Sequence, residues 1–197
     1  MLKEVNTIKR YMGTNLEIGY DYFNDYSLEE ENEVKSGIWN FRESGDFSFY
    51  ENILRNYFTS CYTEEELKNT VLIPLASSRN ANYGEKYGKL LKYLENEVGI
   101  QNGMGLLNKK MDKVEIEKRA IFPHTSHFSK EDIIVLDSEK ISGKNIILFD
   151  DLVRTDLSSV NIKTLLDEHR PKNIRGLFFS KILEDGCNKK FETIELK

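Results

Sequence analysis

The chain has 197 residues, of which 39% are hydrophobic and 11% aromatic, and carries a net charge of −5 at neutral pH. That length and apolar content suit one substantial domain with an appendage and argue against disorder. The negative balance disfavours a general nucleic-acid binder, which needs clustered lysine and arginine, and still leaves room for a local cationic pocket.

The first 69 residues are rich in aromatics and acids and read as a mainly helical extension or hood, with residues 70–197 forming an α/β domain. A helix is expected over 27–43, opened by a capping box of Ser27 and Glu30. Another is expected over 47–62, with Phe49, Ile53, Leu54, Tyr57 and Phe58 on its packing face. A third starts at Thr63, with three glutamates in the first turn, where the helix dipole favours acids. Trp39 and the N-terminal tyrosines are expected in the core. Beyond residue 70 strands alternate with helices, as a parallel sheet requires. Strands are expected over 71–75, 133–136, 146–149 and 176–179. The helix over 83–98 carries Tyr87, Leu90, Leu91, Leu94 and Val98 on one face and is ended by Gly99; a second helix is expected over 159–169.

Cys61 and Cys187 lie far apart and outside any CxxC, which supports neither a disulfide framework nor a zinc ribbon. His124 and His127 lack a third ligand at a recognisable spacing. No apolar run approaches the length that spans a bilayer, and the N-terminus lacks the apolar stretch of a signal peptide, so a cytoplasmic protein with no membrane partner is expected.

The chemistry concentrates in residues 145–159, NIILFDDLVRTDLSS. Ile146, Ile147, Leu148 and Phe149 form a continuous apolar run, the mark of a strand covered on both faces. Asp150 and Asp151 follow at its carboxyl end, where open α/β sheets bind ligands. Arg154, Thr155, Asp156, Leu157 and Ser158 then lead into a helix, a turn that aims donors at an anion. Upstream, the strand over 71–75 runs into Ala76, Ser77, Ser78 and Arg79, whose hydroxyls and guanidinium suit an oxyanion; the alternative is a plain surface turn.

These two segments resemble the type I phosphoribosyltransferase family, with wording similar to its ComF-like branch over about residues 70–183. Pro74, Ser77, Ser78, Arg79 and Gly84 match the first loop, Asp150 and Asp151 the acidic pair, and Thr155 and Ser158 the loop that closes on a 5′-phosphate. The terminal GLFFSKIL is similar to the last strand of ComF-like proteins. The resemblance implies a mostly parallel sheet flanked by helices, with an N-terminal helical extension. It further implies binding of phosphoribosyl pyrophosphate (PRPP) or a related ribose phosphate, transfer of phosphoribosyl to an unknown nitrogenous acceptor, and release of pyrophosphate. In the family the two aspartates engage the ribose hydroxyls, directly or through Mg²⁺ and water, and the first loop holds pyrophosphate. A flexible segment closes the site, for which Lys109, Lys110 and Arg119 are the candidates here; for each, the solvated face of a hairpin or helix is the competing account. A homodimer is common in the family.

Asp156 departs from the family, which places glycine there. A carboxylate beside a phosphate repels it, and a Cβ restricts the tight loop. Two accounts follow: an active transferase, or a degenerate fold that senses a nucleotide or engages a protein. Arg154 faces either the phosphate or solvent. Receiver domains and haloacid-dehalogenase-like phosphatases fit poorly: the first need more chain after the acidic pair, the second two aspartates separated by one residue on the first strand.

Overall fold

The computed structural model describes residues 7–13, 18–26, 32–75, 83–109, 133–153, 157–182 and 190–196. In chain order these form β1 (Thr7–Tyr11), β2 (Tyr20–Tyr26), α1 (Glu33–Ser44), α2 (Ser48–Cys61), α3 (Glu64–Lys68), β3 (Thr70–Pro74) and α4 (Tyr83–Val98). There follow β4 (Gln101–Asn102), β5 (Leu107–Lys109), β6 (Ile133–Val135), β7 (Asn145–Val153), α5 (Leu157–Asp167), β8 (Asn173–Ile182) and β9 (Glu192–Glu195).

The apolar run of β7 sits mid-sheet, as expected of a strand buried on both faces. The order is β4-β3-β7-β8-β2-β1-β9; neighbours from β4 to β2 are parallel, while β1 runs antiparallel to both β2 and β9. Alternate residues of β7 feed opposite layers. Ile147 and Phe149 join the core under α1, α2 and α4, whereas Ile146 and Leu148 join that under α5. The β3-α4-β4 and β7-α5-β8 crossovers step in opposite directions along the sheet, so a shared right hand puts their helices on opposite faces.

The expected mostly parallel sheet flanked by helices is therefore present, and several local expectations shift. The sheet runs across the division placed at residue 70, because β1 and β2 are two of its strands. The first helix begins at Glu33, capped by the Asn32 side chain accepting from the Lys35 amide; Ser27 and Glu30 lie outside the described residues. Thr63 does cap α3, in a reciprocal box with Glu66. The strand expected over 133–136 is not part of the main sheet: β6 pairs antiparallel with β5. Trp39 is 63% exposed, while Tyr20, Tyr22, Tyr50 and Tyr57 are core.

Asp21 of β2 is fully buried between two arginines. Arg10 grips it with two bonds of 2.8 Å, Arg175 donates at 3.0 Å and the Tyr57 hydroxyl at 2.8 Å, which ties β1, β2, β8 and α2 together. Among the described residues no helix is long and apolar enough to cross a membrane.

Candidate ribose-phosphate site

The order β4-β3-β7 means that the chain leaves β3 toward one side and β7 toward the other, and such a switch point is where open α/β sheets take ligands at their carboxyl ends. Pro74 pairs with Phe149, and the Leu75 amide donates to the Phe149 carbonyl at 2.7 Å. The chain after β3 leaves the sheet level with Phe149, and the chain after β7 leaves four residues farther along, past Val153; these are the two loops assigned to the phosphates. Their residues Ala76, Ser77, Ser78, Arg79, Arg154, Thr155 and Asp156 lie outside the described residues, as do Lys110 and Arg119. Leu157 and Ser158 open α5, and Lys109 ends β5 in the two-stranded sheet.

Asp150 and Asp151 lie within β7 rather than beyond it, because the strand continues through Leu152 and Val153, paired with Ser180 and Lys181 of β8. Carboxylates persist in a buried strand only when partnered. Asp151, 4% exposed, receives Arg42 from α1 through two bonds, Nε to Oδ2 at 2.7 Å and Nη2 to Oδ1 at 2.9 Å. Lys86 of α4 adds a second cation 3.6 Å from Oδ2, an ion pair too long to be a hydrogen bond. The half-buried Asp150 accepts the Tyr87 hydroxyl at 2.6 Å and the Asp151 amide at 2.9 Å, both on Oδ1.

Aromatic packing fixes these partners. Tyr87, Phe149 and Phe179 meet edge to face under the carboxylates, at centroid distances of 5.9 and 5.1 Å, and Phe41 packs on both Tyr87 and Phe179. Tyr50 stacks flat on Phe179 at 3.7 Å. The Lys86 ammonium lies 4.7 Å from the Phe41 ring centre and 4.6 Å from that of Tyr87, a cation–π seat. Gly45 ends α1 with φ +71°, and a Cβ there would stand 3.0 Å from the Lys86 Cα. Glycine therefore lets the end of α1, three residues past Arg42, close onto α4.

The two carboxyls diverge electrostatically. Burial, with the neighbouring charge of Asp151, pushes Asp150 up to about 7 against the opposing pull of Tyr87, the Asp151 amide and Lys86. Burial would raise Asp151 as well, but the bonds and charge of Arg42 together with Lys86 outweigh it and hold that carboxyl below its ordinary range. At neutral pH the pair therefore offers one fixed anion and one group that exchanges a proton.

No protein-family profile matches the sequence, and no curated protein matches it. Among solved structures, a hypoxanthine phosphoribosyltransferase from Staphylococcus aureus is similar with a TM-score of 0.43 and 11% identity, over 86% of this chain and 93% of that one. A likeness of that size carries no argument, so the chemistry rests on this chain's own residues.

Arg42, Lys86 and Tyr87 are the site residues that the motifs do not name. Lys86 interrupts an apolar stripe, four residues before Leu90 and eight before Leu94; Arg42 stands four residues after buried Ile38. A charge in a buried helical register is a legible signal of a buried partner. Its partner in sequence is not legible, since Arg42 and Asp151 are 109 residues apart.

Mg²⁺ prefers hard oxygens in an octahedral shell with retained waters. Both oxygens of Asp151 are bonded to Arg42, Lys86 stands beside them, and among the described residues no three acidic, histidine or cysteine side chains cluster. As arranged, Asp151 does not fit a directly bound divalent ion.

Proposed function

We propose that the carboxyl ends of β3 and β7 bind a ribose phosphate of the PRPP type, and that the chain transfers the phosphoribosyl group to a nitrogenous acceptor. The bond from C1 to pyrophosphate breaks, a bond from C1 to nitrogen forms, and the acceptor loses a proton. The observation that supports this is the acidic pair at the switch point of a parallel sheet, on a strand adjacent to the one that leads into Ala76–Arg79. Asp150 and Tyr87 meet the ribose hydroxyls, and the buried Asp151, held by Arg42, sets the charge behind them. Positioning and electrostatics carry this reaction, since it requires no covalent enzyme nucleophile.

A second reading, a fold that binds the ligand without turnover, is favoured by the hold of Arg42 on both Asp151 oxygens and by Asp156 in the phosphate loop. Calorimetry with PRPP, combined with an assay of pyrophosphate release in the presence of candidate bases, separates the two. Heat with release supports the transferase, and heat without release across a panel of nitrogenous acceptors supports the binding module. No heat and no thermal shift at millimolar PRPP, with or without Mg²⁺, sinks both. Asp156→Gly strengthens PRPP binding if that loop receives the 5′-phosphate.

A further inference from the structure

We propose that Arg42 and Lys86 are a built-in counter-cation for the acidic pair, so that this pocket binds its ribose phosphate without a divalent metal at Asp151. The inference rests on the ribose-phosphate reading of the pocket and concerns what balances its charge.

Three observations carry it. Arg42 meets Asp151 as a planar fork, at 2.7 and 2.9 Å, a geometry that engages both carboxylate oxygens and puts a guanidinium where a chelated metal would sit. Lys86 does not swing away to admit one: its side chain is 3% exposed and it is seated between the Phe41 and Tyr87 rings. Among the described residues the charges already close, since two cations face at most two carboxylates, and a divalent ion would add charge beside an ammonium 3.6 Å from Asp151. Both cations come from helices packed on the sheet rather than from the loops, with the α1 end held on α4 through Gly45. The counter-charge is therefore in place before any ligand arrives.

The test uses the full chain with Mn²⁺ alone as probe, followed by electron paramagnetic resonance, and then PRPP calorimetry in EDTA and in Mg²⁺. Wild type leaves Mn²⁺ free at sub-millimolar concentration, while Arg42→Met, or Arg42→Met with Lys86→Met, gains a bound Mn²⁺ that is lost again when Asp151→Asn is added. PRPP binds wild type equally in EDTA and in Mg²⁺. The idea is overturned if wild type itself holds Mn²⁺ and Asp151→Asn releases it, or if PRPP heat requires Mg²⁺ and that requirement disappears in Asp151→Asn. Absence of PRPP heat in both media counts against the ribose-phosphate reading alone, and the Mn²⁺ comparison still decides the role of Arg42. Should the methionine variants fail to fold, the wild-type and Asp151→Asn titrations decide it by themselves.

Discussion

Replacing Arg42 with alanine isolates the contact on which the site depends. The substitution removes two charge-assisted bonds from a carboxylate that is 4% exposed, and breaking a buried pair from one side costs about 3–5 kcal/mol because a charge loses its partner. Two features reduce that. The Arg42 side chain is 40% exposed, so water reaches the vacated space, and Lys86 remains 3.6 Å from Asp151. We expect a loss of about 2–3 kcal/mol in urea unfolding at neutral pH, above the ~0–1 kcal/mol of an exposed pair. A double-mutant cycle with Asp151→Asn should return a coupling of about 1.5–3 kcal/mol. The pH sign follows from Asp151, whose folded carboxyl is held below its usual value of 3.8. Its stabilisation is present above that value and disappears as pH falls through the lower folded one, so the penalty of Arg42→Ala shrinks in acid. A penalty under about 0.5 kcal/mol, or additivity in the cycle, would refute the account of Asp151 as a buried, clamped anion.

Asp150 has the opposite sign: with its folded carboxyl raised from 3.8 to about 7, its favourable contribution is full below 3.8 and is lost as pH rises through about 7. Urea midpoints at about pH 5 and about pH 8 should therefore fall more steeply for wild type than for Asp150→Asn, and equal slopes would contradict the raised value. Gly45→Ala places a Cβ 3.0 Å from the Lys86 Cα at a left-handed φ, and should cost at least about 1–2 kcal/mol in the same assay. A neutral result would mean that α1 does not close on α4 there. Asp21→Asn leaves Arg10 and Arg175 without their shared anion, a loss of about 3–5 kcal/mol. On a chain of this size that is a fall in Tm of about 6–20 °C by calorimetry, and a fall of less than about 2 °C would show the cluster to be dispensable.

The centre of β7 was legible because four consecutive apolar residues are buried on both faces, and α4 because its stripe repeats at helical spacing. The end of β7 was not. Two adjacent aspartates read as the close of a strand, and they continue one only because Arg42, Lys86 and Tyr87 arrive from other elements to neutralise or bond them. The same blindness hid β2, whose YDYFNDY alternates in the folded sheet but carries an acid in its buried register, matched by Arg10 and by Arg175, which is 154 residues away. Trp39 failed for a different reason. Residue type suggested core, yet it falls between Ile38 and Phe41 on the solvent side of a helix whose buried stripe passes through those two.

Consecutive aspartates on a strand diverge, and although α4 reaches both here, through Tyr87 to Asp150 and Lys86 to Asp151, the two bonds of Arg42 go to Asp151. In this chain that difference becomes a division of labour. Asp151 points into the layer of α1 and α4, where a guanidinium and a caged ammonium keep it ionised and immobile. Among the described residues Asp150 accepts one hydroxyl and one amide, both on one oxygen, and burial leaves it near the point where neutral water can protonate it. A hydroxyl approaching Asp150 can donate to the ionised form or accept from the neutral one, whereas Asp151 offers an unchanging field behind it. The first helix of the N-terminal segment is thus part of the electrostatics of the acidic pair, and Arg42 makes it so. Removing that one side chain should disturb Asp150 as well as Asp151: with Asp151 no longer clamped, the two carboxyls compete for Lys86 alone and the proton becomes shared between them. Carbon-13 titration in Arg42→Ala should then show each carboxyl responding in both of the pair's macroscopic steps, in place of one step per residue, and a single step at each residue would mean that the aromatic cage around Lys86, not Arg42, sets the division.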